Sequence, residues 1–298
     1  MTTYDFIASN RRKSALLIAV FGVLVMVIGW LADQLLEGGG LYLILAAGYS
    51  IVTAVVGFYS GDRLALSMSG AHEVSEKDNP YLVRMVQNLC ITTGTPMPRV
   101  HVIDDPAINA FATGRDPKHS SIAVTTGAIR LLENEELEGV LAHELSHVRN
   151  YDIRVMTLVM VLAGTIVIVA DLAMRSFVWG GRRRRNGDGN GAAVIIGLIL
   201  MLIAPLVAQL IKLAVSRRRE YLADASAALI TRFPNGLARA LQKIQVQSQP
   251  MQSASGATAH LFIANPFSGR MSASLFSTHP PIESRIAALH RMSGPTGA

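Results

Sequence analysis

Residues 143 to 147 read His143-Glu144-Leu145-Ser146-His147, an H-E-x-x-H pattern. On a helix, residues four apart share a face, so both imidazoles can be offered to one Zn²⁺ while Glu144 reaches a water held there. Zinc lowers the pKa of such a water towards neutrality and polarises a peptide carbonyl. The carboxylate takes the proton and later passes it to the leaving amine. Catalytic zinc commonly has a carboxylate as its third protein ligand, and RRREYLADASAAL offers Glu220. Asp224, four residues on, can accept the outer ring N–H of a ligand histidine and fix its tautomer. Taken alone, Glu220 and Asp224 read as a solvated helix face pairing with Arg217 to Arg219; beside the histidine pair they read as the other half of a site.

The elements that must position these groups are visible in outline. Asn134 can cap a helix carrying Glu135 and Glu136 in its first turn. Leu137, Val140, Leu141, Leu145 and Val148 then form an apolar stripe at helical spacing. Upstream, Asp78-Asn79-Pro80 predicts a helix start that runs through YLVRMVQNLC and stops at Gly94. RVHVID, AINAFATG and SIAVTTGAI predict short strands. His147 and Glu220 are 73 positions apart (220 − 147), a long gap until a membrane hairpin of about 60 residues is taken out of it, which makes the two helices neighbours.

That hairpin follows from composition. The 298 residues are 50% hydrophobic and 16% charged, with mean hydropathy +0.36, too apolar for an ordinary soluble chain. Four apolar runs stand out: Ser14 to Ala32, Gly40 to Ser60, Val155 to Trp179 and Ala192 to Val215. The first two form a hairpin joined by Asp33 to Gly39. Arg11, Arg12, Lys13 and Arg63 put the N-terminus and the following segment in the cytoplasm. The later runs contain Asp171, Arg175, Pro205 and Lys212 and are joined by GGRRRRNGDGNG, so they either span fully or lie partly in the interface; both return the chain to the same side. The organisation is then 1–13 cytoplasmic, 14–60 a transmembrane hairpin, 61–154 the first part of a catalytic domain, 155–215 a second transmembrane or interfacial hairpin, and 216–298 the second part. The net charge of +6 sits in basic clusters beside apolar runs, which favours juxtamembrane anchoring over nucleic acid. Cys90, the single cysteine, excludes an intramolecular disulfide and a C-x-x-C site; it reads as a packed side chain.

HELSH followed by EYLAD, with NAFATG upstream and FSTHPP downstream, resembles the HtpX family of membrane-bound zinc metalloproteases in the M48 peptidase group. The resemblance implies an α+β, mostly helical, gluzincin-like (zincin-like) metallopeptidase domain with about four transmembrane helices in two hairpins. It implies one Zn²⁺ per chain held by His143, His147 and Glu220, with Glu144 as base. It further implies a cytoplasm-facing site in the cell (inner) membrane and endoproteolysis of misfolded or damaged membrane proteins, in quality control and stress response. His279, in FSTHPP, is implied to lie near the metal, where it could stabilise an oxyanion. Asn109, Ala110 and Phe111 suit an edge strand that binds extended substrate by strand addition, or a core strand turning at Gly114. The partners are thus protein substrates and the lipid bilayer, with no nucleic acid; the oligomeric state is open. Gln245 to Ser274 reads as a flap over the cleft or as a surface loop. Two other functions stand beside this one. A CaaX-type processing protease like the Ste24 group would need more membrane helices than four runs supply, and a silent zinc-binding membrane scaffold would have no use for Glu144 beside its ligand.

Overall fold

A computed structural model describes residues 3–35, 37–180, 217–247, 249–267 and 280–293. The apolar run 192–215, residues 181–191 of the arginine-rich connection, His279, positions 268–274 of the expected flap and the last five residues lie outside the described residues.

The first two helices, α1 (Thr3–Leu35) and α2 (Leu41–Met68), are long and apolar enough to cross a membrane. Asp33 closes their turn, its carboxylate accepting hydrogen bonds from the backbone N–H of Gly40 (2.8 Å) and Tyr42 (3.2 Å), which supplies the first orphan donors of α2. Both helices continue past the expected 14–60 limits into the domain, because the charged residues at those ends are good helix formers whose polar heads tolerate water. Val23, Trp30, Ile44, Ile51 and Val52 point outward, as lipid-facing positions should. Helix α6 (Asp152–Gly180) begins inside the domain and packs on both: Leu17 and Phe21 of α1 meet Val155, Val159, Leu162 and Ile166. Against α2 the approach is closer. A Cβ placed on Gly61 would stand 2.6 Å from Thr157 Cγ2, and one on Gly57 3.1 Å from Val161 Cγ1, so it is Gly61 above all that admits α6 at this distance.

A four-stranded sheet, β1 (Ala71–Glu73), β2 (Arg99–Ile103), β3 (Ala110–Asp116) and β4 (His119–Thr125) in the order β1-β2-β4-β3, has one parallel pair, β2 with β4. β3 is an edge strand, antiparallel to β4. Alternation along the strands feeds two cores. Ala110, Ala112, Ile122 and Val124 face helices α3 (Pro80–Thr93), α5 (Asn134–Arg149), α7 (Arg217–Thr231) and α8 (Pro234–Val246), with α9 (Ile282–Met292) behind. Phe111, Ala123 and Ile103 face α2, α6 and the segment Met251–Phe262.

Helix α3 starts and stops as its sequence predicts: Asn79 accepts from Leu82 N–H (3.0 Å), and Gly94 takes the left-handed conformation at φ 65°. Cys90 is packed, and burial pushes its thiol up to about 11. Two local expectations are corrected. SIAVTTGAI is not strand throughout: Thr125 ends β4 and caps a short helix α4 (Thr126–Leu131), its hydroxyl accepting from Ala128 N–H at 3.2 Å. Asn134 is the first residue of α5 rather than its cap. Glu133 takes that place, its N–H donating to Glu136 (2.8 Å), because a glutamate three residues into a helix reaches back to the cap position.

Candidate metal centre

Helix α5 is buried along nearly its whole length, with Glu136 anchored to Lys243 of α8 at 2.7 Å. The buried stretch carries His143, Glu144 and His147, none more than 5% exposed. Helix α7 crosses α5 and lays Glu220 and Asp224 against them, 2% and 0% exposed. The solvated-face reading of that pair therefore does not hold. The two Nε2 atoms stand 3.2 Å apart. Glu220 completes a triangle, its oxygens 3.7 Å from each of those nitrogens, and one donor atom from each of the three residues lies within 4.8 Å of the others.

The outer ring nitrogens decide what this triangle can hold. His143 Nδ1 lies 3.0 Å from Asp224 Oδ1, and His147 Nδ1 lies 3.1 Å from Asp152 Oδ2. A carboxylate at Nδ1 fixes the proton there and leaves a lone pair on Nε2. Two such lone pairs and a carboxylate aimed at one point repel each other unless a cation lies between them, so the donor set fits a divalent metal with nitrogen and oxygen preference.

The charges around the two rings differ. Burial lowers His143 to about 4, the hydrogen bond its ring donates to Asp224 opposing it and the Arg285 guanidinium adding to it. Burial also acts against a charged His147, but Asp152, Glu220 and Glu144 outweigh it and raise this group to about 9, so without a cation the ring holds a proton, and a metal would take its Nε2 lone pair by displacing it. Burial raises Glu144 to about 7, with Glu220 adding to the rise and His147 opposing it. The backbone N–H of Ala112 on β3 faces its carboxylate and favours the charged form.

Two supporting residues escaped the sequence reading. Arg285 of α9 is fully buried and grips Asp224 with a fork, Nε to Oδ2 at 2.9 Å and Nη2 to Oδ1 at 2.7 Å. Its Nη1 donates to Ile263 O at 3.1 Å. The fork outweighs burial and holds Asp224 down at about 2. The available signal was its place on α9, at helical spacing from Ile282 and Leu289, where a hydrophobe is expected. Asp152, five residues beyond His147, had no comparable signal. Arg285→Met is expected to lower stability by roughly 3–5 kcal/mol, because it leaves the Asp224 carboxylate buried without its cation. Arg285→Lys, which restores a charge but no fork, is expected to lose less. Thermal unfolding midpoints of the two variants check this.

Of the residues expected to bind substrate, Asn109 and Ala110 lie at the edge strand near the centre. Asn109 Nδ2 donates to Ala264 O at 3.1 Å, and Ile263 N–H donates to Ala110 O at 2.9 Å, so residues 263–264 already occupy part of that edge. Phe111 goes elsewhere: its side chain stacks edge-on with Phe262, centroids 5.0 Å apart, in the core away from α5. Within the expected flap Met251 and residues 258–264 are buried, and Asp105 Oδ2 accepts from Gln252 N–H at 2.8 Å.

Comparisons with known proteins agree with this geometry. Peptidase family M48 matches residues 76–293. A protease HtpX homolog of Tropheryma whipplei (strain Twist) is 49% identical over 293 residues, 97% of this chain and 98% of the relative. One from Dictyoglomus thermophilum is 44% identical over 291 residues, 98% of this chain and 95% of the relative. The crystal structure of S. mikatae Ste24p superposes with a TM-score of 0.53 at 16% identity, over 96% of this chain and 67% of that one, a likeness of fold alone. The chain belongs to peptidase family M48, among the HtpX-type membrane-bound metalloproteases.

Proposed function

We propose that the metal is a single Zn²⁺ ligated by His143, His147 and Glu220, and that Glu144 is the general base and acid of peptide hydrolysis. The carrying observation is the convergence of two imidazole Nε2 atoms and a carboxylate, each ring already oriented by its own aspartate. Zinc there supplies Lewis acidity towards a water and a substrate carbonyl. Glu144 takes the water's proton on a carboxylate oxygen and returns it to the departing amide nitrogen. A group raised to about 7 can both take and give a proton near neutral pH.

Substrate binding is assigned to the edge of β3. Backbone groups alternate sides along a strand. Thr125 N–H bonds Asn109 O across to β4, whereas Ala110 O and Ala112 N–H turn outward, towards residue 263 and Glu144. An extended peptide adding here competes for those outward groups and gains backbone hydrogen bonds whatever its side chains, which suits unfolded chains. His279 is assigned the stabilisation of the developing oxyanion, on the resemblance of FSTHPP alone. Membrane proteins are the favoured substrates because α1, α2 and the start of α6 tie the centre to the bilayer. Arg11, Arg12, Lys13 and Arg63 orient it to the cytoplasmic face of a multi-pass chain. A silent scaffold is disfavoured by Glu144, a costly buried carboxylate beside the ligands that a closed structural site would not need. The test is metal removal. 1,10-Phenanthroline is expected to abolish casein cleavage by the purified full-length protein and stoichiometric zinc to restore it. Cleavage that persists with the metal stripped would sink the proposal.

A further inference from the structure

The first helix does more than anchor. Asn10 is polar, 1% exposed, and placed on α1 just before the basic cluster. Its Nδ2 donates to Asn150 O and to Asp152 Oδ1, both at 2.8 Å. The other oxygen of Asp152 holds His147 Nδ1. Arg219, the residue before Glu220, donates from Nη1 to the same Asp152 Oδ1 at 3.1 Å and to Asn10 Oδ1 at 3.3 Å. One side chain of a membrane helix therefore touches the carboxylate behind one expected ligand and the neighbour of another.

The turn that makes this possible is not relaxed. Tyr151, between α5 and α6, has φ 59°, a left-handed conformation that costs a bulky residue free energy and persists only where surroundings impose it. Helix α1 contacts this turn on both sides of Tyr151, through Asn10 at Asn150 and Asp152 and through the Arg11 guanidinium 5.2 Å from the Tyr151 ring centre, with Arg154 of α6 at the same distance.

We propose that Asn10 is a positioning residue of the metal centre. Acting through Asp152, it fixes the His147 ring, and with Arg219 it locks together the two chain segments that supply ligands on either side of the second apolar pair. The inference rests on the ligand assignment proposed above. A metal-ligating ring that loses its outer support commonly loses ten- to a hundredfold in affinity.

Zinc affinity is measured on the full-length protein in detergent by competition with a chromogenic chelator, in a Glu144→Gln background that suppresses proteolysis during the titration. Asn10→Leu, close in size but unable to hydrogen-bond, is expected to weaken zinc by about ten- to a hundredfold. In an Asp152→Asn background the same change is expected to cost about twofold or less, because its route is already cut. Asn10→Ala removes the same bonds without adding a charge beside Asp152, and carries the same expectation should Asn10→Leu not fold. Leu17→Ala, a packing change on the same helix, is expected to lower the unfolding temperature and leave zinc affinity unchanged. Asn10 variants that bind zinc as tightly as their parent, or that lose the same factor with and without Asp152, overturn the inference alone. A parent that takes up no zinc overturns the ligand assignment and this inference with it.

Discussion

Glu144→Gln is expected to slow casein cleavage by about 10²–10⁴-fold, the usual contribution of a positioned acid–base group, with zinc still bound. Glutamine matches the shape of Glu144 and fits the same buried place beside the cluster. What it loses is the ability to take a proton. The same residue sets the acid limb of the wild-type pH profile. Burial raises it to about 7, and a divalent cation beside it favours the carboxylate and draws that value down. Activity is thus expected to fall as pH drops through a midpoint below 7, and Glu144→Gln to show no such limb in its residual rate.

Glu220→Ala is expected to cost the metal as well as the activity. It removes one of three protein ligands, so the loss of zinc affinity should exceed the ten- to a hundredfold expected from removing a supporting group such as Asp152. The helix itself should persist, because α7 is held elsewhere: Asp224 by Arg285, Arg219 by Asp152, and Ala223 and Ala227 by burial. Metal content by mass spectrometry, read beside a secondary-structure spectrum, separates loss of the ligand from loss of the fold.

The residues of the candidate centre were legible in the sequence because their chemistry is local. Two histidines at helical spacing, and a glutamate four residues before an aspartate, need no tertiary information to be noticed. Helix α3 was legible for the same reason, since Asn79, Pro80 and Gly94 mark its ends. What escaped depends on contacts between segments far apart in the chain. Asp152 and Asn10 are 142 positions apart, and Arg285 reaches Asp224 across 61; no spacing rule links them. The strand expected through Ile129 stops at Thr125, which caps a helix instead, a local competition that β-propensity does not register. Phe111 was grouped with Asn109 and Ala110 as substrate-binding, but strand alternation sends its side chain to the opposite core.

The most direct measurement counts zinc and casein cleavage together in purified wild type and Glu144→Gln. About one zinc per chain in both proteins, with cleavage in the wild type only, is the expected result. Glu144→Gln that cleaves as fast as wild type, with zinc bound in both, would contradict the assignment of Glu144 and with it the proposed mechanism.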